Sequence, residues 1–133
     1  MHCICVDASP IALARIWRLL LKKMPPAEIS CFRSAKKALA NARTRGCDIL
    51  FTDIDFGSTK GEGIFLAEEI KALYPRANII FTTAAAEGEY TSRILKIRYS
   101  GFLNKPYTAQ ELQAELDNLR YNTEESQDAD SPE

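Results

Sequence analysis

Five short apolar segments alternate with five segments of helical periodicity, and no other feature of this 133-residue chain constrains its fold as strongly. The apolar segments are typical of β-strands, and they lie at residues 2–6, 29–32, 49–52, 79–82 and 102–103. The amphipathic segments are typical of helices, and they lie at about residues 10–23, 34–46, 64–74, 89–98 and 108–121. Repeated strand–helix units favour right-handed crossovers between parallel strands. The sequence therefore predicts an α/β fold with a doubly wound, five-stranded parallel sheet.

Signals at the helix ends support this interpretation. Ser9 followed by Pro10 is typical of an N-cap and a first helical position. Ser34 is placed to cap the second helix, and Thr108 with Glu111 forms a capping box at the start of the last one.

Composition predicts one domain with an acidic tail. Apolar residues make up 46% of the chain and charged residues 26%, with a net charge of −1, so neither nucleic-acid nor membrane binding is indicated. Residues 122–133 hold five acids and no base. That segment has too few apolar side chains to order itself, so we expect a domain over residues 1–121 and a disordered tail or linker over 122–133.

Targeting and redox features point to the cytoplasm. No apolar run approaches the ~20 residues of a membrane helix, and no signal peptide is evident. The four cysteines form no CxxC pair, and the single histidine does not complete a zinc set. We interpret the cysteines as core thiols of a protein in a reducing compartment.

Polar residues with complementary chemistry follow four of the predicted strands. Asp7, Asp53, Thr83 and Lys105 each stand at or just beyond the end of a strand or its flanking loop. In an open parallel sheet these ends converge on one edge, where ligands bind. Two carboxylates, a hydroxyl and an ammonium group suit a cation and a phosphoryl group.

Five short motifs together resemble one known family. They are Val6-Asp7, Ile49 to Asp53, Glu62-Gly63, Thr83-Ala84, and Gly101-Phe102-Leu103-Asn104-Lys105-Pro106. From about His2 to Tyr121 the chain resembles the receiver domain of two-component response regulators, which has the CheY-like, flavodoxin-like (βα)5 fold.

The resemblance implies a role for each site residue. Asp53 would accept a phosphoryl group from a histidine kinase or a histidine phosphotransfer protein. Asp7, Asp53 and the main-chain carbonyl of Asp55 would bind Mg2+. Lys105 would pair with Asp53 and then with a phosphoryl oxygen, and the Thr83 hydroxyl would bind another.

The resemblance also implies a switch. Phe102 would move with Thr83, unless it is a statically buried core residue, and Pro106 would follow a cis peptide bond. An output partner would bind the face of helix 4, strand 5 and helix 5, near which Tyr90, Arg93, Arg98 and Tyr99 lie. A homodimer is left open, and the domain would not be an enzyme beyond self-phosphotransfer and autodephosphorylation. The basic residues Arg15, Arg18 and Lys22 are interpreted as a solvated face, with contact to an acidic kinase surface as the alternative.

Two departures from the family pattern concern the metal site. Receivers usually carry two adjacent acids after the first strand, and here the second position is Ala8. Because alanine coordinates no cation, we expect weak Mg2+ binding, with Ser9 and Asp55 as the residues that could substitute in part. The loop from Phe56 to Gly63 is also longer than usual and lacks the usual Met-Pro pair.

Three other functions are weighed against phosphorylation. A pseudo-receiver, which binds partners without phosphate, is favoured by Ala8 and opposed by Asp53, Thr83 and Lys105. Asp53-Ile54-Asp55 matches the Asp-x-Asp motif of haloacid dehalogenase-type phosphatases, but it ends the third strand rather than the first. Flavin binding requires a Ser/Thr/Gly-rich loop after the first strand, and residues 8–12 do not form one.

Overall fold

The computed structural model describes residues 1–24, 28–56, 60–84 and 91–129, with side chains described in these ranges except at 91 and 120–129. Its strands are β1 (His2–Val6), β2 (Glu28–Phe32), β3 (Ile49–Thr52), β4 (Asn78–Thr83) and β5 (Gly101–Asn104). Its helices are α1 (Pro10–Lys23), α2 (Ala35–Arg45), α3 (Glu62–Leu73), α4 (Thr91–Lys96) and α5 (Ala109–Ala129). The predicted alternation of strands and helices is confirmed.

All five strands form one parallel sheet in the order β2-β1-β3-β4-β5. The order reverses at β1, because β2 lies on one side of it and β3 on the other. The chain therefore adds strands first on one side of β1 and then on the other, which is the doubly wound arrangement that the sequence predicts. The carboxyl ends of β1 and β3 lie side by side at this reversal.

Two apolar layers cover the two faces of the sheet. On one face, Ile4 and Val6 of β1 pack with residues from α2, α3 and α4. On the other face, Cys3 and Cys5 of the same strand pack with residues from α1 and α5. Because both faces are covered, β3 is buried along its whole length, which explains its run of Ile, Leu, Phe and Thr.

The predicted caps form as expected. The Ser9 Oγ accepts a hydrogen bond from the Ala12 N–H, and the Ser34 Oγ accepts one from the Lys37 N–H, each at 3.2 Å. Thr108 and Glu111 make the two reciprocal bonds of a capping box, at 3.0 and 3.1 Å.

Two predicted helix boundaries are wrong. Helix α3 begins at Glu62, two residues early, because Gly61 takes a left-handed conformation at φ 75° and turns the chain into the helix. Helix α5 runs to Ala129 rather than to about Tyr121, since neither proline nor glycine interrupts the sequence after Ala109 until Pro132. The division into a domain and a tail stays a prediction. The predicted helix near 89–98 is seen as α4, and residues 85–90 lie outside the described residues.

The cysteines are free and belong to the core. Cys3, Cys5 and Cys47 are buried, and Cys31 is half-buried beside Cys5 in the β1–β2 pair. Burial raises the pKa of Cys3 to about 11 and that of Cys47 to about 12, so both thiols stay protonated at neutral pH. His2 is held by Gly46 O and Ser30 Oγ rather than by a metal ligand set. Among the described helices, none has the length and apolarity that crossing a bilayer requires.

The start of α3 lies directly against the end of β3. The Gly63 N–H donates to the Ile54 carbonyl oxygen at 2.9 Å. A Cβ at position 63 would overlap the main-chain carbonyl oxygen of Asp53 and lie 2.8 Å from its carbonyl carbon. Only glycine allows this approach, so Gly63 fixes the backbone of Asp53.

We expect Gly63→Ala to lower the free energy of unfolding by about 2–3 kcal/mol, because main-chain atoms on both sides must shift. Gly101→Ala is the matched control, since its Cβ would meet mainly the flexible carboxylate end of Glu115. We expect that control to lose less than about 1 kcal/mol. Urea denaturation of both variants measures the difference, and equal losses would contradict the close approach at Gly63.

Candidate site at the carboxyl edge of the sheet

Two carboxylates share one lysine at the carboxyl edge of the sheet. Asp7 follows β1, Asp53 follows β3 and Lys105 follows β5. The Lys105 Nζ donates one hydrogen bond to Asp7 Oδ2 and another, at 3.0 Å, to Asp53 Oδ2. Three of the predicted site residues, far apart in the chain, therefore form one cluster.

Main-chain hydrogen bonds position each member of this cluster just beyond its strand. The Asp7 N–H donates to Phe32 O at 3.2 Å, and the Asp53 N–H donates to Val6 O at 3.0 Å. The Lys105 N–H donates to Thr83 O at 2.9 Å. Because these bonds extend the parallel ladders by one residue, the three side chains start from fixed backbone positions. The Lys105–Pro106 peptide bond is cis, as the resemblance implies.

The cluster is largely shielded from solvent. The side chains of Asp7, Asp53 and Lys105 are 9%, 14% and 23% exposed. Burial by itself lowers the pKa of Lys105, but hydrogen bonds and charge interactions with Asp7 and Asp53 outweigh it and raise that pKa above its usual value of 10.5. Lys105 is therefore a fixed positive charge at neutral pH, held between two acids.

Asp7 belongs to this cluster and does not cap α1. Its Oδ1 accepts a hydrogen bond from the Ser9 N–H at 2.9 Å, while the Ser9 side chain itself caps the helix. Both carboxylate oxygens of Asp7 therefore have hydrogen-bond donors, one at the start of α1 and one in the cluster.

Two further predicted site residues lie near the same edge. Thr83 ends β4 and is 2% exposed, and its carbonyl oxygen receives the Lys105 N–H. The exposed Asp55 lies in the loop after β3, where its carboxylate accepts a hydrogen bond from the Gly61 N–H at 2.6 Å. The role of its main-chain carbonyl as a metal ligand stays a prediction.

A family model for the response regulator receiver domain matches residues 3–117 of this chain. The chain belongs to this family. No curated protein matches it. The family and the fold that the sequence predicts are both confirmed.

Solved receiver structures share the fold at low sequence identity. A CheY-like receiver domain from Methanospirillum hungatei JF-1 is 20% identical, with a TM-score of 0.82 over 93% of this chain and 97% of that one. Vibrio cholerae CheY4 is 18% identical, with a TM-score of 0.78 over 89% and 97%. The isolated receiver domain of RcsB from Salmonella enterica serovar Typhimurium, solved in the presence of the phosphomimetic BeF3−, is 25% identical, with a TM-score of 0.77 over 91% and 88%.

The metal donors of this receiver domain are incomplete. Receiver domains generally bind Mg2+, which prefers oxygen ligands. Within the described ranges, no group of three or more His, Cys, Asp or Glu side chains is positioned to hold a metal ion. Ala8 supplies no side-chain oxygen, and the carboxylates of Asp7 and Asp53 are already bonded to Lys105. These residues do not fit a magnesium site that depends on three carboxylates.

Two arginines contribute contacts that sequence reasoning missed. The Arg33 Nε donates to the Ala8 carbonyl oxygen at 3.0 Å, next to the cluster. Its position directly after β2 was the available signal. Arg15 donates to Tyr107 O at 2.6 Å, and its guanidinium lies 4.7 Å from the centroid of the Tyr107 ring. Arg15 is thus not simply part of a solvated face, because it ties α1 to the segment after Pro106.

The predicted switch residue Phe102 is half-buried. Its ring lies 6.2 Å from that of Phe81, with 50° between the planes, and Tyr99 flanks the same Phe81 ring at 6.2 Å. Nearby, Arg93 pairs with Glu68 at 3.2 Å. Tyr90 lies outside the described residues, so the face predicted to bind an output partner is described only in part.

We expect Lys105→Met to lower the free energy of unfolding at pH 8 by about 2 kcal/mol, because it leaves two carboxylates close together and unpaired. The stabilisation by Lys105 is complete below pH 10.5, the pKa of an unfolded lysine, and is lost as the pH rises through the higher pKa of the folded state.

Urea denaturation of wild type and Lys105→Met from pH 8 to 12 checks this. The difference between the two proteins should shrink at the alkaline end. Burial raises the pKa of Tyr107 and the charge of Lys105 lowers it, so both proteins are compared in a Tyr107→Phe background, which removes that titration. A difference that does not change with pH would contradict the shared ion pair.

Proposed function

We propose that Asp53 accepts a phosphoryl group from the phosphohistidine of a histidine kinase or a phosphotransfer protein in the cytoplasm. The observation that supports this most is the ion pair between Lys105 and Asp53, with 3.0 Å between the ammonium nitrogen and the carboxylate oxygen. Both side chains are largely buried. An ion pair of this kind at the carboxyl edge of a doubly wound sheet suits an anionic ligand.

The chemistry is an in-line transfer. A carboxylate oxygen of Asp53 attacks phosphorus, a P–O bond forms, and the P–N bond to the imidazole breaks. The imidazole nitrogen keeps the bonding electron pair and takes a proton from solvent. Charge on the three equatorial oxygens must be neutralised during the transfer. The Lys105 ammonium group pairs with one of these oxygens, and the Thr83 hydroxyl donates a hydrogen bond to a second one.

The proposed output follows from β4. Thr83 and Phe81 are two residues apart and so lie on the same face of that strand. When Thr83 turns toward the phosphoryl group, the half-buried Phe102, whose ring lies 6.2 Å from that of Phe81, moves further inward and alters the surface formed by α4, β5 and α5. A partner that binds one of the two surface conformations more tightly responds to the change, because phosphorylation shifts the population toward one of them. The domain acts as a stoichiometric acceptor rather than as an enzyme with turnover on external substrates.

A second candidate function is a pseudo-receiver that binds partners without phosphate. The observation that favours it is the incomplete metal site, in which Ala8 replaces an acid. The paired Asp53 and Lys105 argue for the phosphoryl acceptor, because a domain that only binds partners has no need of a buried nucleophile.

Incubating the protein with acetyl phosphate, a small phosphodonor, tests whether Asp53 accepts a phosphoryl group. We expect intact mass spectrometry in acid to detect one added phosphoryl group on the wild type, with and without Mg2+, and none on Asp53→Asn. Asp117→Asn is the matched control, since it neutralises an exposed carboxylate on α5, and it should keep the adduct.

Absence of any adduct on the folded wild type in both conditions would exclude the acceptor and support the pseudo-receiver. An adduct that persists on Asp53→Asn would assign the phosphoryl group to another residue. Circular dichroism of each variant checks that the fold is intact.

A further inference from the structure

Arg33 takes up a position beside the missing acid. Its Nε donates to the carbonyl oxygen of Ala8 at 3.0 Å, and Ala8 is the residue between Asp7 and the cap of α1. The preceding residue, Phe32, accepts the Asp7 N–H through its carbonyl oxygen. Arg33 is thus attached to the same short stretch of backbone that carries the first carboxylate of the cluster.

Two cations lie beside the acids of this edge. Lys105 and the exposed Arg33 balance the two negative charges of Asp7 and Asp53, and the exposed Asp55 adds one further negative charge in the loop after β3. A second acid at position 8 would add another negative charge and attract a divalent cation more strongly. With Ala8 the attraction for Mg2+ is weaker, while two cations remain to meet an anion.

The guanidinium group is suited to an oxyanion. Among the described residues, Arg33 makes one hydrogen bond, which is to the carbonyl oxygen of Ala8. That bond uses Nε and leaves the N–H groups of both Nη atoms, which match two oxygens of a phosphate. The anchor also restricts the motion of the side chain, so less freedom is lost when an anion binds.

We propose that this edge is a metal-independent oxyanion site, in which Lys105 and Arg33 together neutralise a tetrahedral phosphate. The ligand is inorganic phosphate or the phosphoryl group of Asp53, which present the same oxygens. The second case rests on the proposed function, whereas binding of free phosphate does not. Arg33 supplies the charge that a divalent cation would otherwise bring.

The first experiment measures binding alone. Inorganic phosphate is titrated into 15N-labelled Asp53→Asn in the presence of a chelator, because this variant lacks the repulsive carboxylate and cannot be phosphorylated at that position. We expect saturable shifts of the amide signals at residues 8, 33 and 105. Introducing Arg33→Gln into the Asp53→Asn protein should weaken its affinity for phosphate about tenfold or more, as expected for loss of one charge-assisted hydrogen bond.

Arg43→Gln is the matched control. It removes the same charge from an exposed position at the far end of α2 and should leave the phosphate affinity unchanged within about threefold. Arg33→Lys keeps the charge without the bidentate geometry and should restore part of the affinity.

The second experiment measures phosphorylation by acetyl phosphate. With chelator, the wild type should react within about threefold of its rate with Mg2+, and Arg33→Gln should react about tenfold more slowly. Ala8→Asp should bind Mg2+ more tightly and make the reaction depend on it, since it adds a carboxylate and pairs with Arg33.

The outcomes separate the two hypotheses. Phosphorylation that requires Mg2+ and does not respond to Arg33→Gln overturns the metal-independent site and leaves the acceptor intact. Phosphate binding that depends on Arg33, without any phosphorylation, supports the site and excludes the acceptor. No phosphate binding to Asp53→Asn, or binding that Arg33→Gln and Arg43→Gln weaken equally, overturns the inference.

Discussion

The hydrogen bonds from Lys105 to Asp7 and Asp53 are the interaction on which the functional edge depends. Asp7 and Asp53 follow neighbouring strands at the point where the strand order reverses, and both carboxylates lie within hydrogen-bonding distance of one Lys105 ammonium group. Two like charges at that spacing repel strongly when solvent is excluded. Lys105 comes from β5, which is separated from β3 by β4, and only a long side chain reaches that far. Its ammonium group offsets the repulsion between the two carboxylates, so that both can be buried at this edge of the sheet.

Ala8 changes the electrostatic balance of this edge. A third carboxylate would share the same ammonium group, and the mutual repulsion would lower stability unless a cation bound. With alanine, two acids and one base form the cluster, and the exposed Arg33 lies next to it because it is bonded to the Ala8 carbonyl. Such a site holds its charges together without an added ion. We therefore infer that it suits an anion better than a divalent metal.

The sequence predicts the strands and the clustering of Asp7, Asp53 and Lys105 because both follow from periodicity and from the convergence of parallel strand ends. It does not predict the contact of Arg33 with Ala8, since that contact depends on the lateral pairing of β1 with β2, which no local pattern encodes. The course of α5 to Ala129 was missed for a different reason. Acidic composition suggested a tail, but Glu, Gln and Ala are also good helix formers.

Strand β4 connects the edge to a surface of the domain. Thr83 meets the Lys105 backbone at the edge, and Phe81, on the same face two residues earlier, contacts both Phe102 and Tyr99. Phe102 has no hydroxyl group, so no polar tether of its own side chain holds it outward. Its ring packs against Phe81 and the apolar cluster on that face of the sheet. The proposed turn of Thr83 toward a phosphoryl group would therefore act on the Phe81 ring and, through it, on Phe102 and Tyr99.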